Sequence, residues 1–266
     1  MMDKPNVFRQ KLDAGEPTVG CRVSSVWAGL AEVIGLTGQI DYVEFVSEYG
    51  PFDNFALENF ARAIDLFPHM SSLIKLDQMP RPYLAIRAAG AGIENFLFSD
   101  VRGPADAREA VGSVRADAAG QDGLRGIGAT RDNRWGYGLD AKGYIDKLNK
   151  AVVMIMVEKK GCVDQLEEVL ETPGLDMTQF GPADFSMNSG NFEGRESTAV
   201  KDAELYSIET SMKMGVTPRV EIGSPDQAAP YLEMGVRHFS LSGDLYVLRD
   251  FWSTEGRRLR EMIDST

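Results

Sequence analysis

Two carboxylates, Glu158 and Asp184, carry the sharpest chemical signal in the sequence. Glu158 follows directly on the apolar run 151–157, and Asp184 closes the loop Gly181-Pro182-Ala183-Asp184 after a second short apolar segment, 175–180. Between them, Val163, Leu166, Val169 and Leu170 recur at helical spacing. Strand, helix and strand in that order make the two strands parallel with a right-handed crossover, so both carboxylates leave the sheet at the same edge. Parallel neighbours lie about 4.8 Å apart, close enough for two side chains to converge on one hard cation. A donor set of two carboxylates without a nearby Cys or His is all oxygen, which suits magnesium or manganese better than zinc. Two protein oxygens leave about four positions of an octahedron open, two of which the keto and carboxylate oxygens of a 2-oxo acid would fill. Each residue alone has a plainer reading: Glu158 as a solvated charge beside Lys159 and Lys160, Asp184 as a helix N-cap.

The rest of the chain supplies the elements that must hold this pair. Strands are expected at 18–23, 42–47, 71–76, 94–98, 151–157, 175–180, 217–221 and 238–241, nearly all separated by segments of helical period. A helix over 26–34 is expected to start from Ser24 and Ser25 as N-cap residues. Others are expected over 52–67, from Pro80, from Pro104 to Arg115, from Ala141, and over 196–214, 225–234 and 245–263. Residues 120–139, rich in Gly, Asp and Arg, read as a long functional loop. Alternating strands and helices in this number favour a (β/α)8 TIM barrel with an additional C-terminal helix, an open doubly wound sheet being the alternative. At 266 residues with no linker-like tract, one domain spanning 1–266 is the economical organisation. Barrel sites sit at the C-terminal strand ends, which sets Tyr49, Lys75, Glu158 and Asp184 around one mouth.

Composition excludes several classes. A formal net charge of −12, from 28 basic and 40 acidic residues with the cations scattered, argues against nucleic acid. The N-terminus has no apolar h-region, and the longest clean apolar run is seven residues, so a soluble, cytoplasmic protein off the membrane is expected. Cys21 and Cys162 lack CxxC spacing and read as reduced packing residues. His69, after a proline, and His238, at a strand start, read as structural. Gly123, Gly126 and Gly128 match neither a dinucleotide fingerprint nor a P-loop. Arg125, Arg131 and Arg134 are expected to serve in salt bridges rather than as an anion clamp.

The run VEKKGCVDQLEEVLETPGLDMTQFGPADFSMNSG resembles the metal-dependent pyruvate aldolases of the HpcH/HpaI type, whose pattern is a strand-end Glu, a crossover helix, "pGvD" and then "GPxDLs…lG". The likeness extends from GCRVSS through EYGPFDN and LRGIGATR to YLEMGVRHFSLSGDLYVL. It implies a barrel, Glu158 and Asp184 as ligands of magnesium, manganese or cobalt, and the backbone of Gly181, Pro182, Ala183 and Asp184 as the cradle of a substrate carboxylate. It also implies a homo-oligomer, a hexamer or trimer, with an exchanged C-terminal helix. Three positions depart from the family. The Asp-x-Glu-His after strand two reads Val46-Ser47-Glu48-Tyr49, so Tyr49 stands where the family has its acid–base His. A supporting Asp falls at Ala88, and the strand-three Arg falls at Lys75. A phenol with a reference pKa of about 10 is a poor base near neutrality where an imidazole at about 6.5 is a good one. Lysine keeps the charge of Arg but lacks its planar fork.

The expected function is therefore a divalent-metal-dependent carbon–carbon lyase acting on a 2-oxo acid through a pyruvate-type enolate, by retro-aldol cleavage or decarboxylation. Lys75 would stabilise the enolate and Tyr49 donate a proton or shape the pocket. The alternatives are a condensing enzyme of citrate-synthase type using the same enolate, a Schiff base on Lys75, and a non-catalytic binding or structural barrel.

Overall fold

A computed structural model of the chain describes residues 4–265. Helix α1 (Val7–Asp13) precedes β1 (Thr18–Val23), α2 (Ala28–Leu36), β2 (Tyr42–Val46), α3 (Asn54–Ile64), β3 (Ser71–Leu76), α4 (Arg81–Ala91), β4 (Asn95–Phe98) and α5 (Pro104–Val114). A two-residue hairpin, β5 (Asp117–Ala118) with β6 (Gln121–Asp122), leads to a 3-10 segment (Arg131–Gly136) and to α6 (Ala141–Asn149). Then come β7 (Val153–Val157), α7 (Lys160–Asp164), α8 (Leu166–Leu170), β8 (Met177–Phe180), α9 (Pro182–Asn188) and α10 (Thr198–Lys213). The chain continues through β9 (Thr217–Ile222), α11 (Ala229–Met234), β10 (His238–Gly243) and α12 (Asp244–Asp264). Eight strands close a parallel barrel in the order β1-β10-β9-β8-β7-β4-β3-β2, the (β/α)8 architecture expected from the alternation of elements.

Period-2 alternation divides each strand between two apolar layers. Val43, Phe45, Ile74, Phe96, Phe98 and Ile155 pack outward with Leu57, Phe60 and Ile64 of α3 and with the other helices. Tyr42, Leu73, Leu97, Met154, Met156 and Met177 fill the interior with Phe8 of α1, which stacks on Tyr42 at a ring separation of 4.2 Å. Phe8 thereby plugs the N-terminal end of the barrel. By the same parity Glu44, Lys75, Glu158, Gln179 and Arg219 face inward. Arg219 and Glu44 are fully buried with Nη1 and Oε2 2.5 Å apart, and Arg219 Nε donates to Gln179 Oε1 at 2.6 Å.

Several local expectations are revised. Trp27, not Ser24 or Ser25, occupies the N-cap of α2, which starts later than expected; the Ser25 hydroxyl instead accepts the Trp27 N–H at 3.2 Å, ahead of the helix. The crossover helix is broken at Gln165 into α7 and α8, although Leu166, Val169 and Leu170 are buried as the spacing requires. Helix α1 escaped the sequence reading, its apolar content being too small to show a period. Arg125 pairs with Asp132 and Arg131 with Asp65, in keeping with structural salt bridges. His238 Nδ1 lies 2.9 Å from Thr18 Oγ1, and burial pushes its pKa down to about 4. Both cysteines are free, and burial pushes each thiol up to about 12. Among the described residues no helix is long and apolar enough to cross a membrane.

Candidate active site

The mouth is built from strand ends in register. Val46 of β2 pairs with Lys75 of β3, and Val157 of β7 pairs with Phe180 of β8, so Glu48 and Tyr49, Lys75, Glu158 and Gly181 leave four strands at one level. Lys75 Nζ is 2.6 Å from Glu48 Oε2 and 5.5 Å from the centre of the Tyr49 ring. Burial alone would lower the Lys75 pKa, but the Glu158 and Glu48 carboxylates outweigh it and hold the ammonium above its usual range. Lys75 is therefore a cation here and not a free amine. The Tyr49 ring is 70% exposed, yet partial burial of its hydroxyl and the charges of Glu48, Asp184 and Glu158 push the phenol up. It can donate a proton but is no base.

Glu158 is 1% exposed. Its Oε1 accepts the Asp100 N–H at 2.8 Å, while its Oε2 is buried without a hydrogen-bond partner. Desolvation is the main cause of its raised pKa; Lys75 and the Asp100 amide oppose the shift, and Asp184 and Glu48 add to it. A buried carboxylate oxygen left without a donor is costly, and a cation would relieve that cost. Gly181 is required beside it, since a Cβ at this position would lie 2.7 Å from Glu158 Oε2 and 2.9 Å from Glu158 Cβ. Asp184 sits in the first turn of α9, whose N-cap is Gly181, so its N-cap reading is set aside. The first-turn amides of Ala183 and Asp184 have no intrahelical acceptor, whereas Pro182 has no N–H to offer.

The sequence-derived residues Tyr49, Lys75, Glu158, Gly181, Pro182, Ala183 and Asp184 are thus brought to one end of the barrel. Sequence reading missed further members. Lys159, 7% exposed, reaches Asp100 Oδ1 at 2.5 Å and Asp184 Oδ1 at 3.3 Å. Glu48 holds Lys75, and Asp100 holds both Glu158 and Lys159. On the β1 and β9 side, Arg22 Nη2 pairs with Glu221 Oε1 at 2.8 Å, and Lys75 is among the charges that act on Glu221. Strand-end position would have flagged Asp100, and inward parity would have flagged Arg22 and Glu221; nothing in the sequence marks Lys159 apart from Lys160.

Among the described residues no group of three or more His, Cys, Asp or Glu is placed to hold a metal. The pair Glu158 and Asp184 nevertheless fits a hard divalent ion: both donors are oxygen, one buried oxygen lacks a partner, and a glycine leaves space beside it. Such a site would retain open positions for a chelating ligand.

Comparison with known proteins agrees with this architecture. The family model for HpcH/HpaI aldolase/citrate lyase matches residues 61–242. A 4-hydroxy-2-oxo-heptane-1,7-dioate aldolase of Escherichia coli is 27% identical over 251 residues, covering 91% of this chain and 90% of its own. A 5-keto-4-deoxy-D-glucarate aldolase of Klebsiella pneumoniae is 28% identical over 254 residues, covering 92% and 93%. The crystal structure of an HpcH/HpaI aldolase/citrate lyase family protein from Burkholderia cenocepacia superposes with a TM-score of 0.86 at 27% identity, over 96% of this chain and 100% of that one.

Proposed function

Because the chain belongs to the HpcH/HpaI aldolase/citrate lyase family, we propose that it is a divalent-metal-dependent carbon–carbon lyase acting on a 2-oxo acid. The observation that carries the reading is the buried, unpartnered Oε2 of Glu158, set beside Gly181 in the mouth that also holds Asp184 and Lys75. When bound by Glu158 and Asp184, magnesium, manganese or cobalt would supply Lewis-acid polarisation of the keto group. The amides of Ala183 and Asp184 are the donors available to the substrate carboxylate. Lys75, kept protonated by Glu48 and Glu158, offers a fixed positive charge to the oxygen on which negative charge develops as the carbon–carbon bond breaks.

Decarboxylation suits the remaining residues well. Loss of carbon dioxide leaves its electron pair on the substrate as an enolate, and Tyr49, whose phenol stays protonated, donates the proton that restores carbon. Retro-aldol cleavage additionally needs a base for the hydroxyl proton, and the position that holds His in the family holds Tyr49 here. The Arg22–Glu221 pair lines the side of the mouth opposite Glu158 and is the natural contact for a polar substrate tail. A Schiff base on Lys75 is disfavoured by its raised pKa.

A homo-oligomer completes the proposal. Helix α12 buries none of its side chains and exposes Leu245, Val247, Leu248, Phe251, Trp252 and Ile263. Such an apolar surface calls for another copy to cover it, by exchange of this helix in a trimer or hexamer.

The test is isothermal titration of EDTA-treated protein with manganese and then oxalate, with Glu158→Gln and Asp184→Asn in parallel. Oxalate binding that needs metal and is lost in both variants supports the reading; oxalate binding unchanged in either variant overturns it. Product analysis with oxaloacetate, with 4-hydroxy-2-oxo acids, and with pyruvate plus an acyl-CoA then separates decarboxylation, retro-aldol cleavage and condensation.

A further inference from the structure

We propose that Lys159 is the counter-ion of the metal-free site, a side-chain cation that neutralises Asp184 until a divalent ion takes that carboxylate. This rests on reading Glu158 and Asp184 as the metal ligands.

The two carboxylates are treated differently by their surroundings. Asp184 Oδ1 has the Lys159 ammonium at 3.3 Å, while Glu158 Oε2 is buried with no donor, because Lys75 is engaged by Glu48 at 2.6 Å. Lys159 is itself unequally shared. Its Nζ lies 2.5 Å from Asp100 Oδ1, well inside its distance to Asp184. Asp100 is therefore the anchor and Asp184 the exchangeable partner, so the ammonium keeps one carboxylate when the other turns to a metal.

Asp100 is built for this double duty. It stands at φ 54, a left-handed conformation unusual for a residue with a side chain. Its N–H holds Glu158 Oε1 at 2.8 Å while its carboxylate holds Lys159. One strained residue thus aims the first ligand and restrains the cation that guards the second. A divalent ion that recruits Asp184 must displace the ammonium from it and then sit close to a retained positive charge. Both effects weaken metal binding relative to a two-carboxylate site without Lys159. In exchange, the metal-free mouth is spared the unbalanced repulsion of Asp100, Asp184, Glu158 and Glu48, and the metal remains exchangeable.

The opposite role is that Lys159 positions Asp184 for the metal. The two roles give opposite signs when the ammonium is removed. Manganese titration of EDTA-treated protein, with thermal unfolding with and without manganese, is made on the wild type, Lys159→Met, Lys159→Gln and Lys159→Arg. The counter-ion role requires that Lys159→Met and Lys159→Gln bind manganese more tightly by about tenfold or more, a modest share of what one nearby unit charge can contribute. Their metal-free forms should melt earlier and gain more from manganese than the wild type, while Lys159→Arg keeps wild-type affinity. Lys159→Gln serves if Lys159→Met fails to fold. Wild-type binding that both neutral variants weaken or leave unchanged overturns the inference and leaves the metal site standing. No manganese binding by the wild type or any variant overturns the metal reading and this inference with it.

Discussion

The two ends of the barrel use charge differently. At the N-terminal end the cations are shared between carboxylates, as in Arg9 with Asp176 at 2.5 Å and Lys11 with Asp41 at 2.6 Å, and backbone carbonyls at helix and strand ends. Lys4 Nζ donates to Ile64 O, Arg9 to Lys150 O and Ala151 O, and Arg115 to Leu148 O, Ala151 O and Gly174 O. Lys4, Arg9 and Arg115 each support a helix C-terminus, where the macrodipole is negative, and Phe8 closes the interior above them. At the C-terminal end the charged groups face one another: Lys75 with Glu48, Lys159 with Asp100 and Asp184, Arg22 with Glu221, and Glu158 with one oxygen unmatched. Unpartnered polar atoms occur at both ends, Arg125 Nη1 and Asn133 Oδ1 at the base and Glu158 Oε2 at the mouth. Only at the mouth is the unmatched atom a carboxylate oxygen with a second carboxylate, Asp184, following the neighbouring strand, which is why the mouth and not the base is read as the site.

That contrast is broken most directly at Glu158. Glu158→Gln should reduce lyase turnover by about a thousandfold or more, the scale on which removing a central electrostatic contact acts, and should abolish metal-dependent oxalate binding. Its unfolding midpoint should hold or rise, since an unmatched buried charge has been removed. A midpoint that falls by several degrees would make Glu158 a structural residue like those at the base. Gly181→Ala is the next largest. A Cβ 2.7 Å from Glu158 Oε2 displaces that carboxylate, and turnover should drop by about a hundredfold, as small misplacements of reacting groups do. Steady-state kinetics beside a thermal melt would read this.

Two changes at the base should show the reverse split. His238 is held at about 4 by burial against an unfolded value near 6.5. The folded state therefore binds fewer protons than the unfolded chain. The stability tied to the neutral ring is fully present above pH 6.5, is lost as pH falls through 4, and amounts to at most about 3 kcal/mol. Urea unfolding from pH 7 to pH 4 should show this slope, and His238→Gln should flatten it. Arg115→Met takes one donor each from Leu148 O, Ala151 O and Gly174 O, of which the first two keep the Ala151 N–H and Arg9. It should cost about 1 kcal/mol, with kcat/KM unchanged within about twofold. A large kinetic effect from Arg115→Met would mean that the two ends are not independent.

How much of this was legible beforehand differs from residue to residue. The boundaries of β1 and β3 were readable to the residue because both mixed segments lie between turn-forming residues, Pro17 and Ser24 for β1 and Pro68 and Asp77 for β3. Glu158 and Asp184 were readable because a βαβ unit forces consecutive strand ends to one edge. Strand-end position and inward parity could have placed Asp100, Arg22 and Glu221 at the mouth. Their pairings, and Lys159 altogether, were not legible, since the partners lie on other strands and no local pattern records a contact across the barrel. The break at Gln165 was equally hidden, because the helical period persists through it.

The sequence by itself determined the alternation of strands and helices and the edge at which the two carboxylates emerge, which follow from periodicity and crossover handedness, properties of local segments. The family resemblance rested on motifs such as Gly181-Pro182-Ala183-Asp184. Closure of the eight strands into a barrel, against the open sheet that the same alternation allows, was decided by the tertiary structure. The tertiary structure alone decided which charges are matched. Lys75 is drawn to Glu48, Lys159 to Asp100, and Glu158 Oε2 is left without a donor, because closing the barrel brings together residues far apart in the chain and removes from water those it buries.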